Sequence, residues 1–253
     1  MRREHREMAL SELIGRRGGP VTHGAALWLL HPEVFCDLEV AALVSLLSDE
    51  ETERRSSFLY AQDRTLYAAA HGLLRLSLSA LDGRGPKLHR FSCGPNGRPE
   101  LCEGDPRLDL RFNISHTPGL VAVVTTTGLA CGVDVEDLTR LDRVADRLAR
   151  SVLTPDERAV FEGFEPTARP ACFAVLWTLK EAWLKAVGRG LTIEPNEVAV
   201  TFAQDRSPML SGPDGDRWQL YSMPVGERHR LGLALRRAPG RSDRLLVVDV
   251  VPG

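Results

Sequence analysis

The chain has 253 residues, 43% hydrophobic and 26% charged, enough apolar content to fill one large or two small cores. With 32 Lys and Arg against 34 Asp and Glu, it carries no bulk basic field for nucleic acid. No run approaches the ~20 apolar residues of a membrane span, and the five scattered cysteines form no C-x-x-C pair, which fits a reducing cytoplasm and argues against structural zinc.

Residues 1–7 are charged, and the apolar patch at 8–14 is too short for a secretory signal. With Arg16-Arg17-Gly18-Gly19-Pro20 as a joint, residues 1–20 are expected to form a flexible N-terminal segment. Residues 24–30 read as a strand, 38–47 as a helix, Ser48-Asp49-Glu50-Glu51 as a capped helix start and 64–81 as a long amphipathic helix, followed by short strands. After Asp134 the order recurs. A helix is expected at 141–151, a capped start at Thr154-Pro155-Asp156-Glu157 and a long helix at 171–187, then strands near 198–202, 218–222, 230–235 and 245–250. This repetition suits an α+β monomer of two halves, 21–128 and 129–253, with a site in the cleft between them.

Three segments carry charged residues that packing does not require. In the last long helix, Gly188 and Gly190 supply a stop, and Trp177, Glu181 and Lys185 recur at four-residue spacing on one side. A surface ion pair worth a few tenths of a kcal/mol describes Glu181 and Lys185 equally well. Cys131-Gly132-Val133-Asp134-Val135-Glu136 reads as a strand with Asp134 and Glu136 on one face, and for a lone D-x-E a solvated face is the simpler account. Taken together, however, Asp134, Glu136 and Glu181 would raise one another's pKa unless a cation joined them, and Mg²⁺ is the natural ion for an all-oxygen set. Residues 110–124 hold two strand-like runs joined by a polar turn around Ser115, His116 and Gly119. This is either an ordinary hairpin or a source of donors for phosphate oxygens.

The blocks F-N-I-S-H at 112–116, G-V-D-V-E at 132–136 and W-x-x-K-E-A-x-x-K-x-x-G-x-G-L at 177–191 closely resemble, in order and spacing, the signature of the surfactin-type 4'-phosphopantetheinyl transferases. Residues 91–101 are similar to the family's G-K-P segment, with Arg98 in place of Lys, and the likeness runs from about residue 43 to 200. The resemblance implies two similar α/β halves related by a pseudo-twofold axis. It implies Mg²⁺-dependent transfer (Mn²⁺ being the alternative ion) of the phosphopantetheine arm of coenzyme A to a serine of an apo acyl-carrier or peptidyl-carrier protein, releasing 3',5'-ADP. The carriers would belong to polyketide, nonribosomal peptide or fatty acid synthases.

By motif position, Asp134, Glu136 and Glu181 are the implied metal set, with direct or water-bridged ligation open. Lys185 is placed on the attacked phosphate, Ser115 and His116 on other phosphate oxygens, and Gly97, Arg98 and Pro99 along the adenine and ribose-phosphate pocket. Catalytic roles fall to Glu181, Lys185 and His116, with either Glu181 or a metal-bound water as the base. Lys180, rotated about 100° from Glu181, is expected in a structural ion pair or the pocket wall. Where some relatives carry an Arg for the 3'-phosphate, this chain has Leu66; Arg64 is the nearest substitute, with Arg54 and Arg55 as others. A non-catalytic coenzyme A- or carrier-binding homologue should lack an acid or the lysine, and a Mg²⁺-dependent phosphohydrolase would not need the S-H and K-E-x-x-x-K blocks in this order.

Overall fold

A computed structural model describes residues 3–15, 24–94, 99–102, 109–188, 193–212, 214–237 and 245–253. Two compact units divide the chain: residues 1–128 with 240–253, and residues 129–239.

The first unit begins with strand β1 (Arg3–Ala9) and the short helix α1 (Leu10–Gly15). Strand β2 (Ala25–Leu30) follows, then helices α2 (Asp37–Ser45), α3 (Asp49–Ser56) and α4 (Ala61–Asp82). A small hairpin, β3 (Phe91–Cys93) with β4 (Pro99–Leu101), precedes the long hairpin of β5 (Leu110–Thr117) and β6 (Leu120–Thr127). The second unit opens on β7 (Cys131–Asp137), continues through helices α5 (Leu138–Leu141), α6 (Ala145–Val152), α7 (Pro155–Glu162) and α8 (Arg169–Val187), and ends with β8 (Val200–Phe202), β9 (Pro208–Leu210), β10 (Trp218–Val225) and β11 (His229–Arg236). The last strand, β12 (Leu245–Val251), returns to the sheet of the first unit, whose order is β1-β12-β2-β6-β5.

Two expectations give way here. Residues 3–15 of the expected flexible segment form a strand and a helix, because β1 pairs in parallel with β12 and buries Met8, while α1 buries Leu10 and Leu13. The boundary at 129–253 also shifts. The apolar run Leu245-Leu246-Val247-Val248 is a strand signal that local pattern cannot assign to a partner, and it lies between β1 and β2. The helix expected at 141–151 starts later, as α6 at Ala145, with the short α5 ending at Leu141, and Thr154 and Ser48 cap their helices as their sequences predict.

In the first unit, β2 is buried on both faces, and α4 packs Ala69, Leu73 and Leu76 into a core with Trp28, Leu30, Val121 and Val123. Each fully buried aliphatic side chain contributes about 1.5–3 kcal/mol. The buried cation of α4, Arg75, is satisfied: Nε donates to Glu51 at 2.9 Å and Nη1 to the carbonyls of Pro86 and His89.

In the second unit, β7, β11 and β10 form an antiparallel sheet that α8 covers. The helix approaches very closely. A Cβ on Gly132 would run into the carbonyl of Ala182, and one on Gly232 into that of Thr178, so only glycine permits this seating. Gly132 lies by Ala182 and Gly232, the cross-strand partner of Asp134, lies by Thr178, so α8 runs antiparallel to β7. The helix ends at Gly188 in the left-handed conformation, as its sequence predicts.

Candidate active site: an acid and lysine seam between a strand and a helix

The alternation of β7 puts Gly132, Asp134 and Glu136 on the face toward α8. The four-residue spacing on α8 puts Trp177, Glu181 and Lys185 on one side. Four helical residues rise about 6 Å and two strand residues about 6.7 Å, so the two rows run nearly in step. Lys185 Nζ lies 2.6 Å from Asp134 Oδ1 and 3.4 Å from the carbonyl of Val133. About two turns away, Trp177 Nε1 donates to Glu136 Oε1 at 2.9 Å. Glu181 stands between these two ties.

The electrostatics follow from crowding. Burial raises the pKa of Glu181, the charges of Asp134 and Glu136 raise it further, and Lys185 opposes them. Burial also raises Glu136, with Asp134 acting in the same direction; the Trp177 hydrogen bond and the charges of Arg140 and Lys185 partly offset this. Burial and neighbouring carboxylate charge thus disfavour the ionised forms of Glu136 and Glu181, an arrangement that a cation relieves.

All three donors are hard oxygen ligands, which suits Mg²⁺. Among the described residues, no three His, Cys, Asp or Glu side chains form a ready metal cage. Lys185 draws the Asp134 carboxylate to itself, and Trp177 draws that of Glu136. Mg²⁺ commonly takes one or two carboxylates together with substrate phosphates and keeps several waters, so the donor chemistry fits an open site completed by substrate.

Lys180, one residue before Glu181, does separate work. It is fully buried, its Nζ 2.5 Å from Glu157 Oε2, 2.8 Å from the carbonyl of Val152 and 3.0 Å from that of Pro195. Glu157 accepts from the backbone N–H of Val200 with its other oxygen, so one ion pair ties α7, α8 and β8 together beneath the seam. The expected structural ion pair is what the helix makes; its partner, 23 residues upstream, has no local signal.

The other expected site residues belong to the first unit. Ser115 and His116 are adjacent within β5, opposite Ala122 and Val121, and the turn is confined to Pro118 and Gly119. They therefore point to opposite faces: Ser115 is buried and His116 is exposed. The polar turn read from the sequence is a strand end, and its two donors do not share one surface. Arg64 donates to the carbonyls of Phe58 and Leu59 at 2.8 and 3.0 Å, pinning the loop before α4. Arg55 donates to the carbonyl of Arg64, and Arg54 lies over the Phe58 ring. Pro99 begins β4, half-buried; Gly97 and Arg98 lie outside the described residues. The sequence signal missed was Trp177: its place one turn before Glu181 marked it as a neighbour, but a donor bond to Glu136 requires knowing which strand α8 covers.

Fold and seam define an α+β protein with three carboxylates and a lysine gathered where one strand meets one helix. A family model described as the 4'-phosphopantetheinyl transferase superfamily matches residues 130–234, the stretch that contains the whole seam. A relative from Synechocystis sp. is 30% identical over 182 residues, 72% of this chain and 73% of that protein. The 4'-phosphopantetheinyl transferase HetI of Nostoc sp. is 30% identical over 160 residues, 63% of this chain and 67% of that one. The chain belongs to the 4'-phosphopantetheinyl transferase superfamily. A holo-(acyl-carrier-protein) synthase from Bacillus anthracis, solved with coenzyme A, matches 42% of this chain and 94% of its own at 21% identity and a TM-score of 0.38. No described helix is long and apolar enough to cross a membrane.

Proposed function

We propose that this protein is a surfactin-type 4'-phosphopantetheinyl transferase that moves the phosphopantetheine arm of coenzyme A onto a serine of an apo carrier protein. The observation that carries this reading is the meeting of Asp134, Glu136, Glu181 and Lys185 at one strand and helix seam. A homologue that had lost the reaction would have no reason to keep Glu136 and Glu181 crowded against Asp134 with Lys185 beside them.

In the proposed step the serine Oγ attacks the β-phosphorus of coenzyme A. A new P–O bond forms to the serine, the bond to the bridging oxygen breaks, and 3',5'-ADP leaves with that oxygen. Glu181, one turn from Lys185 on the same side of α8, accepts the serine proton. Lys185, already half-exposed on the seam, exchanges Asp134 for a phosphate oxygen and offsets charge on the attacked group. Asp134, Glu136 and Glu181 would hold Mg²⁺. Bound there, the ion would neutralise pyrophosphate charge. His116, exposed on β5, supplies a further donor to the phosphates.

Intact mass spectrometry of an apo carrier domain incubated with the protein, coenzyme A and Mg²⁺ tests the reading. A gain of one phosphopantetheine arm that EDTA abolishes supports it. Release of 3',5'-ADP without carrier would indicate a hydrolase, and coenzyme A binding without any transfer across fatty-acid, polyketide and peptide carriers would indicate a binding protein.

A further inference from the structure

We propose that Trp177 is a positioning residue of the transfer site: its indole N–H holds one oxygen of Glu136, leaving the other as the oxygen available to the cation. This rests on the transferase reading above and adds to it a residue that touches neither substrate nor metal.

The geometry is specific. Trp177 Nε1 lies 2.9 Å from Glu136 Oε1. The indole is stacked on Phe173, with centroids 6.1 Å apart and planes 13° from parallel, and Phe173 meets Phe161 edge to face. Phe173 and Phe161 are both buried, so the indole is clamped from the core side and its N–H direction is set by packing. Packing alone would be met by phenylalanine, which has no donor. An indole N–H donates and cannot accept, so it holds a carboxylate without competing for the cation.

The seam also has two ties of different kinds. Lys185 brings a mobile positive charge to Asp134, which a substrate phosphate can draw away. Trp177 brings a neutral donor to Glu136, which does not leave when the anion arrives. One acid is released as substrate binds while the other stays oriented. Partners that orient a metal-ligating carboxylate in this manner typically carry a 10–100-fold effect on metal affinity, about the size expected here.

Mn²⁺ binding by electron paramagnetic resonance, on the full chain without coenzyme A, tests this in wild type, Trp177→Phe, Glu136→Ala and the double variant. Trp177→Phe should weaken Mn²⁺ binding about 10–100-fold and leave the metal-free dissociation constant for coenzyme A unchanged by calorimetry. In a Glu136→Ala background the same change should have no further effect on Mn²⁺; an additive loss would mean that Trp177 acts through packing, and would overturn the proposal. Undiminished Mn²⁺ affinity in Trp177→Phe would overturn it directly. If wild type and Glu136→Ala bind Mn²⁺ alike, the metal assignment of Glu136 itself fails and this inference with it, a result distinct from Trp177→Phe alone being silent. Should the variant not fold, the unmodified protein still answers: the Trp177 indole N–H resonance should move as Mg²⁺ is added, and a stationary signal would end the idea.

Discussion

Lys185 and Asp134 meet at 2.6 Å across the seam of α8 and β7, with the carboxylate buried and the lysine side chain 30% exposed. The pair is therefore asymmetric. The acid depends on the lysine for its charge balance, whereas the lysine can turn to solvent or to a phosphate. That asymmetry makes the lysine the mobile member, and it means that removing either residue does different things.

Lys185→Met leaves Asp134 buried with its cation gone. A loss of about 1–2 kcal/mol is expected, less than for a fully buried pair because the lysine is partly solvated. For a domain of this size that is a fall of about 2–8 °C in Tm, readable by calorimetry. Transfer should fall at least about 100-fold, since a cation on the attacked phosphate acts mainly in the transition state. A variant that kept the transfer rate would remove Lys185 from the phosphate.

Glu181→Gln is expected to lower transfer by about 100-fold or more. The metal-free protein should become more stable, not less. Glu181 has a folded pKa raised above its unfolded value, so its favourable contribution exists below the unfolded pKa and is lost as pH rises through the folded one. At neutral pH the ionised form is a burden, relieved by glutamine. Denaturant titrations of both proteins at pH 7 without metal check the sign; a destabilised Glu181→Gln would mean that the acid is well solvated or satisfied.

Lys180 and Glu157 form a fully buried pair, and breaking it from one side is expected to cost about 3–5 kcal/mol. Lys180→Met should show this loss. The double variant Lys180→Met, Glu157→Gln should recover a substantial part, because glutamine keeps the backbone contact to Val200 without an uncompensated charge. Strict additivity in chemical denaturation would refute the coupling.

Asp82 and His89, both with fully buried side chains, bond at 3.0 Å. Burial alone would raise the pKa of Asp82, but the bond from His89 and the backbone N–H of Arg84 outweigh it, and the net shift is downward. The contribution is therefore present above the unfolded pKa of about 3.9 and lost as pH falls through the folded value. Asp82→Asn should cost about 1–3 kcal/mol at pH 7 and much less at pH 3. Equal losses at both pH values, from urea midpoints, would show that charge plays no part.

Much of the second unit was legible before any coordinates. The two-residue period of 132–136 and the four-residue spacing of 177, 181 and 185 each define a face, and a face is a local property of φ and ψ. The capped starts at Ser48 and Thr154 and the stop at Gly188 are local too. The strand-like run at 110–114 and the turn at Gly119 hold, whereas Ser115 and His116, polar residues that read as part of the turn, lie in the strand. Pairing with β6 holds 115–117 extended and turns the two donors away from each other.

The sequence by itself determined which residues are charged, where the helices begin and end, and which acids share a strand face. Only the tertiary structure decided their partners. Lys180 and Glu157, Trp177 and Glu136, and β12 with β1 are joined across 23, 41 and more than 200 residues, and local periodicity holds no record of contacts at such separations. The glycines show the division most plainly: Gly132 and Gly232 are visible as glycines in the sequence, but that α8 presses its carbonyls into the space they leave is a fact of packing alone.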